Sequence, residues 1–176
     1  EPYRTMLGHF RHEIGHYYES FLITDDQTRD RARELFGDES EDYQAAIDRH
    51  YAEGAPDDWQ QRFISQYATM HPWEDFAETW AHYLHISDSI QTAEEFGLLR
   101  PAPTASFRER VTKTWMPLST ALNMMNRSMG YDDLYPFVLS TPVLDKLEFV
   151  AGLAADAAAG SVKDSSAGDV EPESGA

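Results

Sequence analysis

The sequence predicts a mainly α fold, and three observations carry that prediction. Apolar residues recur at a helical period in windows spanning 6–22, 72–96 and 107–129. Residues that start and stop helices bound those windows. No stretch alternates apolar and polar residues as a half-buried strand pair would.

In the first window, Met6, Leu7, Phe10, Ile14, Tyr17, Tyr18 and Phe21 project onto one arc, while His9, His12, His16 and Glu19 project onto the other. The apolar arc is expected to face the core. Gly15 costs about 1 kcal/mol in a helix interior relative to Ala, a cost a helix keeps where another backbone must approach closely. Segments 25–36 and 41–53 read as short helices, closed by Gly37 and Gly54. Asp57 can cap a helix running toward Met70. Pro72 suits the first turn of the next helix, and Glu74 and Asp75 favour its dipole. This helix runs past Ile86 to about Phe96, before Gly97. After a loop with Pro101 and Pro103, Ser106 caps the segment 107–129. Pro117 inside it predicts a kink or break near Trp115; Trp115, Leu118, Leu122, Met125 and Met129 fall at helical spacing, and the Met-rich stretch with Met124 and Met125 reads as core, with the lining of a substrate pocket as the alternative. Thr141 caps a last helix with Pro142 at its first position, running to about Ala158. The expected organisation is one domain, 1–159, followed by an acidic, disordered tail, 160–176, rich in Ser, Gly and Ala.

The chain has 176 residues, enough for one packed core. Its 14 Lys and Arg against 31 Asp and Glu give a formal charge of −17, which argues against nucleic acid and anionic membranes as partners. No apolar run is long enough for a transmembrane helix, and no signal peptide is visible. With no Cys, neither disulfides nor a Cys-based zinc site is available. A cytoplasmic location is expected.

The chemistry concentrates in His12-Glu13-Ile14-Gly15-His16. Residues four apart lie one turn above each other on a helix face, so His12 and His16 can offer two imidazoles to one metal ion. Glu13 lies about 100° around the helix, where it can take a proton from a water beside the metal. On the helix from Pro72, His71, Glu74, Asp75, Glu78, His82 and His85 share one face, and Trp73, Phe76, Ala77, Trp80, Tyr83 and Leu84 the other. A solvated face would favour Lys and Arg, and this one has neither. It can therefore supply a further carboxylate ligand.

Three motifs in order, His9-Phe-Arg-His-Glu-Ile-Gly-His-Tyr-Tyr18, Glu34-Leu-Phe-Gly-Asp-Glu39 and Met70-His-Pro-Trp-Glu-Asp-Phe-Ala-Glu-Thr-Trp-Ala-His-Tyr-Leu-His85, resemble a bacterial family of zinc-binding metallopeptidases. The family is gluzincin-like and distantly similar to the catalytic domain of anthrax lethal factor. The resemblance covers about residues 5 to 150. It implies a zincin-type helical catalytic region binding Zn2+, with His12 and His16 as ligands, Glu13 as general base and Glu78 as third ligand. Glu74 and Asp75 share the face of Glu78 and remain open as substitutes. In lethal-factor-like enzymes a Tyr upstream of the third ligand stabilises the oxyanion. The matching offset here falls on His71, with Tyr67 one turn earlier; His71 ranks first, then Tyr67, then His82. His82 and His85 are expected to support ligands rather than react.

The resemblance implies hydrolysis of a peptide or protein substrate. A zincin also carries a β-sheet ahead of the His12 helix, whose edge holds the substrate. Only eleven residues precede His12, so that sheet is expected to be largely or wholly missing from this chain. Relatives often carry an N-terminal zinc ribbon, expected upstream in the parent protein. The alternative is a non-catalytic zincin-like metal-binding or protein-interaction module. Glu13 separates the two, since it serves proton transfer and not ligation.

Overall fold

The structure, a computed structural model, describes residues 5–101 and 105–166, with the backbone alone for 161–166. Among these residues every regular element is helical, as the sequence predicts: α1 (Met6–Leu22), α2 (Asp26–Phe36), α3 (Tyr43–Glu53), α4 (Pro72–Glu95), α5 (Phe107–Arg110), α6 (Met116–Ser128) and α7 (Thr141–Ser166). None of these helices is long and apolar enough to cross a membrane.

The caps follow local chemistry. Thr5, Asp25 and Asp42 each accept a backbone N–H at the start of α1, α2 and α3. Gly37, at φ 105°, ends α2 in a conformation that an L side chain rarely adopts. Ser106 and Glu109 form a reciprocal capping box on α5.

Helix α4 is the axis of the fold. On one side, Phe76 and Trp80 join Phe36 of α2 and Val150 of α7. Further along, Ile86 and Ile90 meet Ile64, Val111, Trp115 and Leu147 in the larger apolar cluster. The face expected to carry acids and imidazoles is also inside: Glu74 is 3% exposed, Asp75 0% and His82 2%. Burial at that level is tolerated only for paired or hydrogen-bonded groups. Lys146 of α7 supplies the pair for Asp75 and also donates to the Arg62 carbonyl.

Four expectations are corrected. Helix α1 turns its apolar arc outward: Met6 is 91% exposed, and Leu7, Phe10, Tyr17 and Phe21 are exposed too. The buried residues are Gly8, His12 and Gly15, and only the Tyr18 end reaches the core, where it stacks on Trp80. The reason is Gly15. A Cβ there would lie 2.9 Å from Ala77 Cα and 3.1 Å from Trp80 Cβ, so the glycine face lets two helix backbones approach more closely than the bulky face could. Second, 57–70 forms two short 3₁₀ turns, Trp59–Gln61 and Tyr67–Thr69, rather than a helix. Ile64 and Ser65 between them are pulled inward under α4. Third, Met124, Met125 and Met129 lie on the surface, because α6 buries the side carrying Ser119 instead. Fourth, α7 continues through Gly160 to Ser166, past the expected boundary of the tail at 160. The Ala-rich run before it has the highest helix propensity. The tail from 167 onward lies outside the described residues. The break foreseen at Pro117 takes the form of a π-helical turn, Val111–Trp115, which absorbs the hydrogen bond that proline cannot donate.

Candidate metal centre

Two helices build the site. Helix α1 presents His12 and His16 one turn apart, and α4 presents Glu74 opposite them. The distances are 3.2 Å between His12 Nε2 and His16 Nε2, 3.0 Å from His12 Nε2 to Glu74 Oε2, and 3.6 Å from His16 Nε2 to the same oxygen. One ligand atom from each residue fits within a group no wider than 4.8 Å.

The supporting bonds define what each atom is free to do. His12 Nδ1 lies 2.8 Å from Glu78 Oε1. Donation of that N–H leaves Nε2 with a bare lone pair facing a carboxylate oxygen. Glu74 Oε1 accepts from the Tyr43 hydroxyl at 2.7 Å, whereas its buried Oε2 faces the two imidazoles, 3.0 Å from His12 Nε2 and 3.6 Å from His16 Nε2. A buried lone pair against a buried carboxylate oxygen is unfavourable unless a cation, proton or metal, lies between them. Two imidazoles and a carboxylate form a donor set that suits zinc, so these residues fit the metal that the sequence implies.

The electrostatics say the same. Burial alone would lower the His12 pKa, but Glu74 and Glu78 outweigh it and raise the imidazole to about 9. Burial would raise Glu74, but hydrogen bonds from His12, His16 and Tyr43 hold it far below the usual carboxylate range. The Glu78 carboxyl is also held low, with burial opposed by His12 and Ser65.

The structure places the other expected residues as follows. Glu78, the expected third ligand, is not in the three-residue group. It sits on the far side of the His12 ring, held by His12 and by Ser65 Oγ at 2.6 Å, and Glu74, left open as a substitute, takes the position facing both imidazoles. Asp75 points to Lys146, away from the group. His71, the first choice for the oxyanion, is committed elsewhere: its Nδ1 accepts the Trp73 N–H as the cap of α4 and its Nε2 donates to the Glu41 carbonyl, both at 3.1 Å. That expectation is corrected, because a buried cap whose ring nitrogens both bind backbone has nothing left to offer a substrate. Tyr67 lines the clefts on both sides of the centre, with its ring centroid 5.8 Å from that of His12. Burial and the charge of Glu74 raise its phenol pKa, so it remains a hydrogen-bond donor. His82 bonds the Tyr135 hydroxyl through Nδ1, and burial lowers it to about 3. His85 Nδ1 accepts from Arg11 at 2.8 Å. Glu13 is exposed, lines both clefts beside His12, and lies 3.7 Å from His9.

Two supporting residues have no signal in the sequence. Tyr43 lies 31 positions from Glu74, and Ser65 comes from a stretch without periodicity. Only the fold brings them to the carboxylates.

Comparison with known proteins shows the family. The family model described as "Putative zinc-binding metallo-peptidase" matches residues 1–153. Uncharacterized proteins of Mycobacterium bovis and Mycobacterium tuberculosis are 55% identical over 158 residues, an alignment covering 85% of this chain and 46% of each relative. The chain thus spans about half the length of the curated relatives it matches. No solved structure matches. With that match running through the helices that carry His12, His16 and Glu74, the chain belongs to the zinc-binding metallopeptidase family so described.

Proposed function

We propose that this chain carries the catalytic centre of a zinc-dependent peptidase, with His12, His16 and Glu74 as the ligands. The observation that carries this reading is the convergence of three donor atoms, one of them the buried Glu74 Oε2, which faces both imidazoles. Zinc in such a site lowers the pKa of water and polarises a carbonyl. Glu78 orients His12 and fixes its tautomer through Nδ1, the arrangement by which a carboxylate tunes a ligand histidine. Tyr43 does the same for Glu74 through Oε1. Glu13, exposed at the junction of the clefts, takes the proton of the attacking water on its carboxylate and delivers it to the leaving amine nitrogen. The Tyr67 hydroxyl donates to the oxygen that gains charge as the carbonyl is attacked.

The test pairs metal content with turnover. Wild type and Glu13→Gln are each expected to bind about one equivalent of zinc, with peptide hydrolysis falling by roughly 10²–10⁴ in the variant. Equal hydrolysis by both proteins would sink the role of Glu13. A full zinc equivalent on His16→Ala would sink the ligand set. Zinc binding with no hydrolysis of any peptide by wild type would leave the metal-binding module as the reading.

A further inference from the structure

A second feature of the metal centre is the cleft on its α2 side, with a volume of about 630 Å³. It is continuous with His12, Glu13, His16 and Glu74, so a peptide whose carbonyl reaches the ligands can place a neighbouring side chain in it. Its walls are of two kinds. Ile23, Ala32 and Phe36 are apolar, while Tyr43, Tyr67 and Trp73 are aromatic. Glu19, one turn beyond His16 on the same face of α1, adds a carboxyl.

Beyond the metal centre and Glu13, the other charged groups of the cleft are paired. Arg29 pairs with Asp26 at 2.8 Å. Glu39 is held by two bonds from Arg33, at 2.8 and 2.7 Å. Glu19 has neither: among the described residues no cation lies within 4.0 Å of its carboxyl and no side chain donates to it. We propose that this cleft is the specificity pocket of the site, that it takes the side chain of a lysine or arginine beside the scissile bond, and that Glu19 is its counter-ion. An apolar wall suits the methylene stem of such a side chain, the aromatic rings of Tyr43, Tyr67 and Trp73 suit its cationic head, and a half-buried carboxylate with no partner among the described residues supplies the charge. Burial, with Glu39 and Glu74 nearby, pushes the Glu19 carboxyl up to about 8. The empty pocket therefore holds a carboxyl that ionises more readily once a cation arrives. The inference rests on the peptidase reading for its substrate and on the cleft alone for its chemistry.

The test uses both. Zinc-loaded protein is given a randomised peptide mixture and the products are sequenced by mass spectrometry, then a defined peptide pair carrying arginine or its neutral isostere citrulline at the selected position. The expected result is enrichment of Lys and Arg at one position flanking the cut. The arginine peptide should be favoured by about tenfold or more in kcat/KM, since it alone offers the Glu19 carboxyl a cation to pair with. Glu19→Gln should bring the two peptides to within about twofold, and Glu19→Asp should keep part of the preference. Separately, N-acetyl-arginine amide and N-acetyl-citrulline amide are titrated into the Glu13→Gln protein by NMR, with binding of the arginine compound alone expected, and lost on adding Glu19→Gln. Hydrolysis without a basic preference, or a preference indifferent to Glu19→Gln, overturns the pocket and leaves the peptidase standing. Glu19-dependent arginine binding without any hydrolysis does the reverse. Neither binding nor hydrolysis overturns both.

Discussion

Gly15→Ala is the substitution on which helix propensity and the tertiary structure disagree most clearly. Propensity alone predicts a gain of about 1 kcal/mol from replacing a mid-helix glycine. The structure predicts a loss. The new Cβ would sit 2.9 Å from Ala77 Cα and 3.1 Å from Ala77 O, where ordinary contact begins at 3.4 Å. The shortfall of 3.4 − 2.9, about 0.5 Å, falls on the backbone of α4, which cannot rotate away as a flexible side chain would. Overpacking of this kind costs roughly 1–3 kcal/mol, so the net effect is a destabilisation of about 0–2 kcal/mol after the propensity gain. The larger effect is on the metal. His12 and His16 stand on α1 and Glu74 on α4, so parting the helices parts the ligands. A shift of about 0.5 Å exceeds the roughly 0.2 Å tolerance of ligand distances, and zinc affinity should fall about 10–100-fold, the scale of disturbed ligand support. Urea denaturation measures the first effect, and competition with a chromogenic chelator the second. A Gly15→Ala protein more stable than wild type by the propensity gain, with zinc affinity within about threefold, would refute the close-approach argument.

Four further outcomes follow from the structure. Glu74→Gln should cost zinc affinity well over about a hundredfold, whereas Glu78→Gln, which disturbs only the support of His12, should cost about 10–100-fold; the reverse order in a chelator competition would exchange their roles. Zinc should displace about one proton near pH 7.5, because the His12 pKa of about 9 keeps that imidazole charged in the metal-free protein; calorimetry in buffers of different ionisation enthalpy counts it, and no release would contradict the shift. The sign for stability agrees: the folded pKa lies above the 6.5 of a free imidazole, so the metal-free protein holds this contribution below about pH 6.5 and loses it as pH rises through about 9, seen as a falling Tm. Lys146→Met should destabilise by about 3–5 kcal/mol by leaving Asp75 buried and unpaired, and adding Asp75→Asn should recover part of it; urea denaturation of both variants measures this, and a neutral single variant would refute the pairing.

Most of the helical architecture was legible in the sequence, because caps and periodicity are local. The segment from Phe107 carries its cap at Ser106, and α2 and α3 end at the glycines that close them. The break before Pro117 follows from one missing N–H. The stretch 57–70 was not legible, since Ile64 and Ser65 are drawn in by contacts with distant residues rather than by any local preference.

The sequence by itself determined that two histidines and a row of carboxylates would occupy single helix faces, since a period of 3.6 residues sets which side chains align. It could not choose among positions one turn apart on a face. Glu78 and His71 are seven residues apart, as are Glu74 and Tyr67, and a single offset of four carries the first pair onto the second. That offset leaves the face almost unchanged but moves a side chain about 6 Å along the axis. The choice therefore belongs to whatever lies opposite. The tertiary structure supplied it by packing α1 through Gly15 onto Ala77, against the expectation that its apolar arc would turn inward. That contact sets Glu74 beside both imidazoles and leaves Glu78 behind His12.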